Sequence, residues 1–350
     1  MQREWMRSTV RNFRRYYNPD VGNAIRMDTN TNALGPNPAA TRFLASNKID
    51  INDYPNTYSD GLRDALAELY GLERENFTVG AGSDETLDIA FKTFTEWNDG
   101  VVVPVPSYSL YDYFVNMNGG KVCAVDLTKD FQLDADAMLK PKAKVIIMPS
   151  PNNPTGNAFK QKDIEEILER SKGPVIVDEA YGEYAERSMI PKVNEFKNLI
   201  VMRTFSKAYA MAGLRVGYSV SNKNISDMMN CVKIPYSLNI VSEGAAIAAV
   251  KDQEFIRKSV DLVKKNRGPL SKGLKKLGLE PFPSDSNFIL ARSPVDHEAL
   301  TSGLKKKGVL IRDFGSKRRT EDCVRVTVGS EEMNDILLKK MNEVIAELRK

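Results

Sequence analysis

Short apolar runs alternate with amphipathic segments of helical period from about residue 60 to residue 250. The apolar runs lie in DGVVVPVPSY, AKVIIMPSP, GPVIVDEAY and NLIVMRTFSK, and the helical segments include residues 61–72, 80–94 and 161–171. Near-continuous apolar runs are typical of strands buried on both faces, and parallel strands need crossover connections, which are usually helices. The alternation therefore predicts an α/β fold, with a mostly parallel sheet covered by helices.

The last hundred residues have a different pattern. Residues 253–278 form a long, charged, amphipathic stretch, followed by the strand-like segments SNFILAR, GVLIRDF and CVRVTVGS and a final helix from Glu331 to Lys350. This order predicts a small α+β C-terminal domain. We therefore expect an N-terminal arm at 1–30, a large domain at 31–246 and a small domain at 247–350, with the arm packing near the small domain.

Composition limits the classes of function. The 50 basic and 46 acidic residues nearly balance, which gives no case for a nucleic-acid partner. No run of about 18 apolar residues predicts a transmembrane helix. The N-terminal segment carries five arginines without an apolar core, so it predicts a solvated arm rather than a secretory signal. The three scattered cysteines suit a reducing compartment, and we expect a cytoplasmic protein.

The chain has a single histidine, His297, in the segment SPVDHEAL, which is typical of a helix start. One histidine excludes metal sites built from several histidines, and no metal site is predicted. The G-x-S-x-G motif of many Ser-His-Asp hydrolases is also missing. We expect His297 on the surface, so acid–base chemistry has to come from Lys, Tyr, Asp or Glu.

Polar side chains follow the predicted strands at the points where they end. They are Tyr108, Asn153, Asp178, Tyr181, Thr204, Ser206 and Lys207, and the turn GAGSDE at residues 80–85 runs into a helix. In open α/β sheets, ligands bind beyond the carboxyl ends of the strands. Each residue alone has an ordinary structural explanation, but an acid directly after VIV is costly to bury unless it pairs with a cation. An amine, a carboxylate, hydroxyl and amide donors, an aromatic face and a phosphate cradle are together what pyridoxal phosphate requires.

Three motifs carry a resemblance to a known family. SPNNPTG, VDEAY and TFSKAYAMAGLRVGY resemble the motifs of fold-type I pyridoxal-phosphate-dependent aminotransferases. Within these, the chain is similar to the histidinol-phosphate aminotransferases through nearly its whole length, in segments that include GPNP, YPN, GSDE, PSY, PYSLN, SNFIL, GVLIRD and VRVTVG. The resemblance implies pyridoxal 5'-phosphate as cofactor.

The resemblance also implies a role for each residue at the strand ends. Lys207 would bond covalently to the cofactor and, once released by substrate, move the α-proton as general base. Asp178 would pair with the pyridine nitrogen, and Tyr108 would stack on the ring. Asn153 and Tyr181 would hydrogen-bond the ring oxygen. The phosphate would be bound by Arg215, Ser206, Thr204 and the backbone at Ser83, Asp84 and Glu85. Tyr54 would reach the phosphate of the neighbouring subunit, which makes a homodimer part of the site.

On the substrate side, the resemblance implies that Arg325 grips an acidic group, with Arg312 as a second arginine for a substrate phosphate. A structural salt bridge of Arg312 with Asp313 or a neighbour is the alternative. The family usually has NENP where this chain has NTNA at 30–33, a segment that lies near the substrate and includes Asn32. Tyr16 and Tyr17 are further candidates for the pocket wall.

The leading hypothesis is an aminotransferase that works by ping-pong between an amino donor and a 2-oxo acid acceptor, histidinol phosphate with 2-oxoglutarate in histidine biosynthesis. The alternatives are an aromatic or broad-range amino acid aminotransferase, and a decarboxylase resembling threonine-phosphate decarboxylase. A non-enzyme reading, a binding protein or a regulator's effector domain, is disfavoured by the presence of Lys207.

Overall fold

The computed structural model describes residues 3–13, 22–46 and 49–350, so Tyr16 and Tyr17 lie outside the described residues. Within them, the strands in chain order are β1 (Ile25–Arg26), β2 (Phe77–Gly80), β3 (Gly100–Val105), β4 (Lys121–Asp126), β5 (Val145–Pro149), β6 (Val175–Asp178), β7 (Leu199–Thr204), β8 (Gly217–Ser221), β9 (Glu280–Pro281), β10 (Phe288–Arg292), β11 (Val309–Leu310), β12 (Arg312–Asp313) and β13 (Cys323–Thr327).

The α-helices of the same residues are α1 (Pro38–Ala45), α2 (Asp60–Tyr70), α3 (Ser83–Phe94), α4 (Leu110–Met117), α5 (Ala135–Leu139), α6 (Gln161–Arg170), α7 (Lys223–Val232), α8 (Ile240–Lys251), α9 (Gln253–Lys276), α10 (His297–Lys306) and α11 (Glu331–Leu348). Many begin after a polar residue whose side chain accepts a backbone N–H of the first turn. These N-caps are Asn37, Asp134, Asn222, Asn239, Asp252, Asp296 and Ser330.

The central sheet has seven strands in the order β2-β8-β7-β6-β5-β3-β4. Strand β8 is antiparallel to both of its neighbours, and the remaining pairs are parallel. The predicted mostly parallel α/β sheet is therefore confirmed. The parallel strands all end at one edge of the sheet, and this edge carries the polar residues singled out above.

The apolar runs of the central strands arise because both faces of the sheet are covered. In β5, Val145 and Ile147 pack in one apolar cluster, while Ile146 and Met148 pack in the cluster on the opposite face. Successive side chains of a strand point to opposite faces, so a strand buried on both sides cannot alternate with polar residues. Each strand ends where this apolar burial ends, so the residue at the end of the strand is the first one to reach the cavity.

The C-terminal part contains a four-stranded antiparallel sheet in the order β12-β13-β10-β9, with α9 and α10 packed against the strands and α11 packed against these two helices. The N-terminal strand β1 pairs in parallel with β11. The predicted boundary at 246/247 falls inside α8, and Asp252 is the junction between α8 and α9. The division into domains stays a prediction.

Two details differ from the sequence-based expectations. The segment GVLIRDF is two short strands, of which β11 pairs with β1 and β12 with β13. The expectation of a surface histidine is wrong: the His297 side chain is only 12% exposed, and its Nδ1 lies 2.9 Å from Oδ1 of Asp313. The ring lies against Gly315, where a Cβ would clash with it, so the missing side chain makes room for the imidazole.

None of the helices in the described ranges combines the length and the apolar character that crossing a bilayer would need.

Candidate active site

A cavity opens at the carboxyl edge of the central sheet. All the predicted cofactor residues except Glu85 and Tyr54 line this inner cavity: Ser83, Asp84, Tyr108, Asn153, Asp178, Tyr181, Thr204, Ser206, Lys207 and Arg215. A second, outer cavity shares Tyr108, Asn153, Tyr181 and Lys207 with it and adds Arg312 and Arg325. The two cavities therefore meet at Lys207, as a cofactor site and an adjacent substrate site would.

Lys207 follows β7 after a short turn. Its Nζ donates a hydrogen bond to the backbone carbonyl of Thr29 at 3.0 Å and lies 5.6 Å from the centre of the Tyr181 ring. No described carboxylate forms an ion pair with this amine. The amine is thus held at the junction of the two cavities by a neutral acceptor and an aromatic face, which leaves it free to bond to an incoming carbonyl carbon.

Asp178 is the last residue of β6 and is buried at the floor of the inner cavity. Its Oδ2 accepts the hydroxyl proton of Tyr111 at 2.6 Å, and its Oδ1 accepts the N–H of Ala180 at 3.0 Å. Burial raises the pKa of the Asp178 carboxyl to about 6, although the two hydrogen bonds counteract the shift. A cationic N–H placed against this carboxylate would restore its ionised form.

Tyr111 is a site residue that the sequence reasoning missed. It lies in α4, three residues after Tyr108, and the two rings meet edge to face at 5.4 Å between centres. Burial next to Asp178 holds the pKa of the Tyr111 hydroxyl well above its usual range, so this group stays a hydrogen-bond donor. The signal was its position three residues after Tyr108, because the chain turns there, with the Tyr111 N–H donating to the Tyr108 carbonyl at 3.1 Å.

An anion-binding corner lies where α3 begins. Ser83 is its first residue, and the preceding Gly82 has φ 89°, a conformation that favours glycine. A Cβ on Gly217 of the neighbouring β8 would lie 2.1 Å from the Ser83 backbone nitrogen, so only glycine allows this close approach. The first N–H groups of a helix lack partners within it and face outward with the positive end of the helix dipole.

Arg215 completes this corner. Its guanidinium donates to Oγ of Ser206 at 3.3 Å and to Oδ2 of Asp84 at 3.2 Å. Thr204 in turn donates its hydroxyl proton to Ser206 at 3.0 Å. Two hydroxyls, a guanidinium and a helix N-terminus together form a cradle for a phosphate group.

Glu85 takes a different place. Its carboxylate accepts the backbone N–H of Ala81, and its own N–H donates to the Gly82 carbonyl at 3.2 Å. The Glu85 side chain therefore braces the turn that presents Ser83 and Asp84, rather than lining the inner cavity.

Asn153 is oriented by the small C-terminal sheet. Its Oδ1 accepts a hydrogen bond from Arg325 at 2.6 Å, which leaves the amide nitrogen of Asn153 to donate elsewhere. Arg325 also donates to the Asp28 carbonyl at 2.7 Å, and its guanidinium lies over the rings of Phe288 and Phe314. Arg325 thereby connects the outer cavity to the cofactor-side amide.

Arg312 lies directly opposite Arg325 in the antiparallel pair of β12 and β13, and both line the outer cavity. The structural alternative, a salt bridge to Asp313, is not what the described residues show, because Asp313 lies against His297 instead. Like charges directly opposite each other destabilise a strand pair. An anion bound between the two guanidinium groups would relieve this repulsion.

Besides Glu85, two further predicted residues lie outside both cavities. The amide nitrogen of Asn32 contacts the carbonyls of Lys207 and Ala208 and the hydroxyl of Ser259, so it supports the Lys207 turn from below. Tyr54 is 77% exposed and packs only loosely on Tyr236, with 5.0 Å between ring centres. Tyr54 lines neither the inner nor the outer cavity of its own subunit.

The inner cavity fits pyridoxal phosphate on grounds of this structure alone. A buried carboxylate without a cationic partner, a lysine amine and a phosphate cradle line the same cavity. These three groups match the ring nitrogen, the aldehyde and the phosphate of that cofactor.

Comparisons with known proteins agree with this class of site. The family described as aminotransferase class I and II matches residues 23–341, so the chain belongs to this family. The histidinol-phosphate aminotransferase of Thermoanaerobacter pseudethanolicus is 33% identical over 97% of this chain and 98% of its own length. That of Pyrococcus furiosus is 35% identical over 86% of both chains.

Among solved structures, the histidinol-phosphate aminotransferase of Sinorhizobium meliloti in complex with pyridoxal-5'-phosphate superposes with a TM-score of 0.87. It is 26% identical, with 93% of this chain and 92% of that chain covered.

Proposed function

We propose that the protein is a pyridoxal-phosphate-dependent aminotransferase that exchanges the amino group of histidinol phosphate with a 2-oxo acid such as 2-oxoglutarate, a step of histidine biosynthesis. The observation that carries the proposal is one cavity that contains Lys207, Asp178 and the phosphate cradle and opens onto two arginines. The names of the relatives described above support the same substrate.

The cofactor, when bound, supplies an electron-withdrawing ring and a carbonyl carbon that accepts the amino group. Lys207 would hold the cofactor through Nζ, and the free amine would take the proton from the substrate α-carbon. Its position at the junction of the two cavities would place the amine next to both reaction partners. Asp178 would keep the ring nitrogen protonated, and Tyr108 would pack against the ring.

Asn153 and Tyr181, which line both cavities, would donate to the ring oxygen. Because Arg325 holds the amide oxygen of Asn153, a substrate anion that draws Arg325 away would also change that donor. Substrate binding is thereby linked to the electronic state of the cofactor through one side-chain contact.

The paired arginines favour a phosphorylated substrate over the alternatives. A monocarboxylate, such as an aromatic amino acid, offers one bidentate partner, whereas a phosphate dianion has three oxygens and enough charge for both Arg312 and Arg325. A phosphate-specific decarboxylase would share this feature, and it is distinguished by carbon dioxide release that needs no oxo acid.

We also propose a homodimer, in which Tyr54 of each subunit completes the other subunit's phosphate site. Exposed apolar side chains in two segments, 51–58 and 228–236, support an interface here; they are Ile51, Tyr54, Tyr58, Met228, Ile234 and Tyr236. The two segments are held together by Lys233, whose Nζ donates to the Thr57 carbonyl at 3.0 Å. Patches of this kind are typical of association surfaces.

A mixing experiment tests this arrangement. Lys207→Ala and Tyr54→Ala subunits are each inactive or impaired, but a mixed dimer regains one intact site if Tyr54 acts across the interface. An equal mixture is expected to recover about a quarter of the normal sites by random pairing. No recovery in mixtures that exchange subunits would contradict the shared site.

The free cysteines Cys123, Cys231 and Cys323 suit a reducing compartment, and we propose the cytoplasm.

The main test is a spectral titration of the protein loaded with pyridoxal phosphate. Histidinol phosphate is expected to bleach the visible cofactor band, and 2-oxoglutarate is expected to restore it, which demonstrates both half-reactions. If the band responds to aromatic amino acids but not to histidinol phosphate, the proposed substrate is wrong and an aromatic amino acid takes its place. The absence of any visible band would overturn the cofactor assignment.

A further inference from the structure

Asn30 lies behind the candidate active site, between the N-terminal segment and the small C-terminal sheet. Its side chain is buried, with 1% of the residue exposed, and its backbone has φ 56°. This left-handed conformation is uncommon for residues with a side chain, although asparagine adopts it more readily than most. No role follows for Asn30 from the motifs discussed above, which makes its contacts informative.

The contacts fix the orientation of the Asn30 amide. The Thr327 hydroxyl oxygen accepts the backbone N–H of Asn30 at 3.1 Å, and the same hydroxyl donates its proton to Oδ1 of Asn30 at 3.3 Å. The Thr327 hydroxyl has one proton, and Oδ1 of Asn30 is its only acceptor among the described residues, so the hydrogen-bond network assigns this end of the amide as the oxygen. The Asn287 amide holds the backbone from the other side by donating to the Asn30 carbonyl at 3.0 Å.

The remaining end of the amide, Nδ2, lies 2.9 Å from the Tyr181 hydroxyl. An amide nitrogen only donates, so the Tyr181 oxygen accepts this bond, and its own proton points elsewhere. Among the described residues, no other hydrogen-bond partner of this hydroxyl is found, and Tyr181 lines both cavities. The free proton is therefore available to a ligand in the cavity.

We propose that Asn30 is a positioning residue that makes Tyr181 a hydrogen-bond donor to the ring oxygen of the cofactor, an inference that rests on the proposed function. Donation to an anionic oxygen stabilises the anion. It therefore lowers the pKa of the proton that this oxygen shares with the covalently held nitrogen of Lys207. Thr327 and Asn287 serve the same purpose one step further away, by holding Asn30.

The test measures the pH dependence of the visible cofactor band in the loaded protein. Asn30→Gly keeps the left-handed backbone and removes the amide, whereas Asn30→Asp keeps the shape and, when ionised, accepts the Tyr181 proton. Both variants are expected to raise the pKa of the band by about one unit, the scale of one hydrogen bond to a charged group. Of the two, Asn30→Asp is expected to raise the pKa of the band more, because an ionised carboxylate accepts the Tyr181 proton and so reverses the direction of this hydrogen bond.

The effect has to pass through Tyr181. Tyr181→Phe is expected to raise the pKa of the band by itself. In this background, Asn30→Gly is expected to cause no further rise. Asn334→Asp is the matched control, because Asn334 is also buried and its amide binds only backbone groups of Gly329. This control is expected to leave the band unchanged even if it lowers stability.

An unchanged band in both Asn30 variants, or an equal shift with and without the Tyr181 hydroxyl, overturns the proposal. If one variant does not fold, the other still decides. A protein that forms no visible band with pyridoxal phosphate refutes the proposed function instead, so the two failures are distinguishable.

Discussion

Two clusters of charged and polar side chains lie on opposite faces of the same sheet edge. Residues of one cluster are the immediate sequence neighbours of residues of the other. Asp178 and Thr204 face the inner cavity, whereas their neighbours Glu179 and Arg203 point into the protein. This separation follows from the geometry of strands, in which successive side chains alternate between faces. Two residues that are neighbours in sequence therefore belong to different sites, one to the ligand cavity and the other to a structural cluster.

The inward cluster is built on ion pairs, with one cation, Arg203, between two buried carboxylates. Arg203 lies 2.8 Å from Glu179 and 2.9 Å from Glu183, and it also donates to the Ser188 hydroxyl at 3.0 Å. A Cβ at Gly182 would lie 2.7 Å from the guanidinium carbon, so the cluster requires glycine there. Glu179 also accepts from Ser188 and from the Met189 N–H.

Two of the cavity-facing groups, Asp178 and Lys207, are paired with neutral groups instead, whereas Arg215 at the phosphate corner pairs with Asp84. Asp178 is held by a tyrosine hydroxyl and a backbone N–H, and Lys207 by a carbonyl. Arg203 thus has carboxylate partners inside the protein, whereas Asp178 and Lys207 have no partner of opposite charge among the described residues and remain for a ligand to neutralise.

The largest expected effect separates the two clusters by function. Lys207→Ala is expected to lower the transamination rate by about 10⁴-fold and to abolish the covalent visible band, because no other described amine lines the inner cavity. Stopped-flow half-reactions and absorbance spectra measure this. Lys162→Ala, at an exposed site on α6, is the control, and retained turnover in Lys207→Ala would refute the mechanism.

The inward cluster is expected to matter for stability. Arg203→Met leaves Glu179 and Glu183 buried without their cation and is expected to cost about 3–5 kcal/mol of unfolding free energy. Denaturant unfolding of the cofactor-free protein measures the loss. A loss below about 1 kcal/mol would show that the cluster is not the structural counterpart of the site.

Asp178→Asn is expected to have the opposite sign in the cofactor-free protein. The folded-state pKa of Asp178, about 6, lies above the usual 3.8, so the carboxyl favours the folded state at low pH. That contribution is lost as pH rises through the folded pKa. Removing the acid is therefore expected to stabilise the protein by up to about 3 kcal/mol at pH 8 and to have little effect at pH 4.

Asp178→Asn is expected to have a different effect once the cofactor is bound. In the loaded enzyme, Asp178→Asn is expected to lower kcat/KM by about 100-fold, since the ring nitrogen loses its charged partner. Unfolding curves at both pH values and steady-state kinetics give the two readouts. A variant that is less stable at pH 8 than at pH 4, relative to the parent protein, would contradict the unpaired state of Asp178.

The smallest effect concerns the substrate. Arg312→Gln is expected to raise the KM for histidinol phosphate about tenfold, the scale of one charge-assisted hydrogen bond, with little change for donors that lack a phosphate. Arg318→Gln is the matched control, because Arg318 is exposed and pairs with Asp126. An equal rise for both classes of donor would assign Arg312 to the fold.

The prediction of the sheet succeeded where both faces bury apolar side chains, as in β5, β6 and β7. Strand β8 was missed because Ser219 and Ser221 interrupt its apolar pattern although both are buried. Polar residues in a buried strand are satisfied by neighbours distant in sequence, and a local pattern carries no trace of these neighbours.

The amino-acid sequence by itself determined the alternation of strands and helices and the chemical types at the strand ends, because periodicity and residue chemistry are local properties. Only the tertiary structure decided which polar groups stay available. It turned Asn32 toward the Lys207 turn, placed Arg312 opposite Arg325, and brought Tyr111 and Asn30 to Asp178 and Tyr181. The physical reason is that a hydrogen-bond donor or acceptor is defined by its partner, and these partners come from segments far apart in the chain.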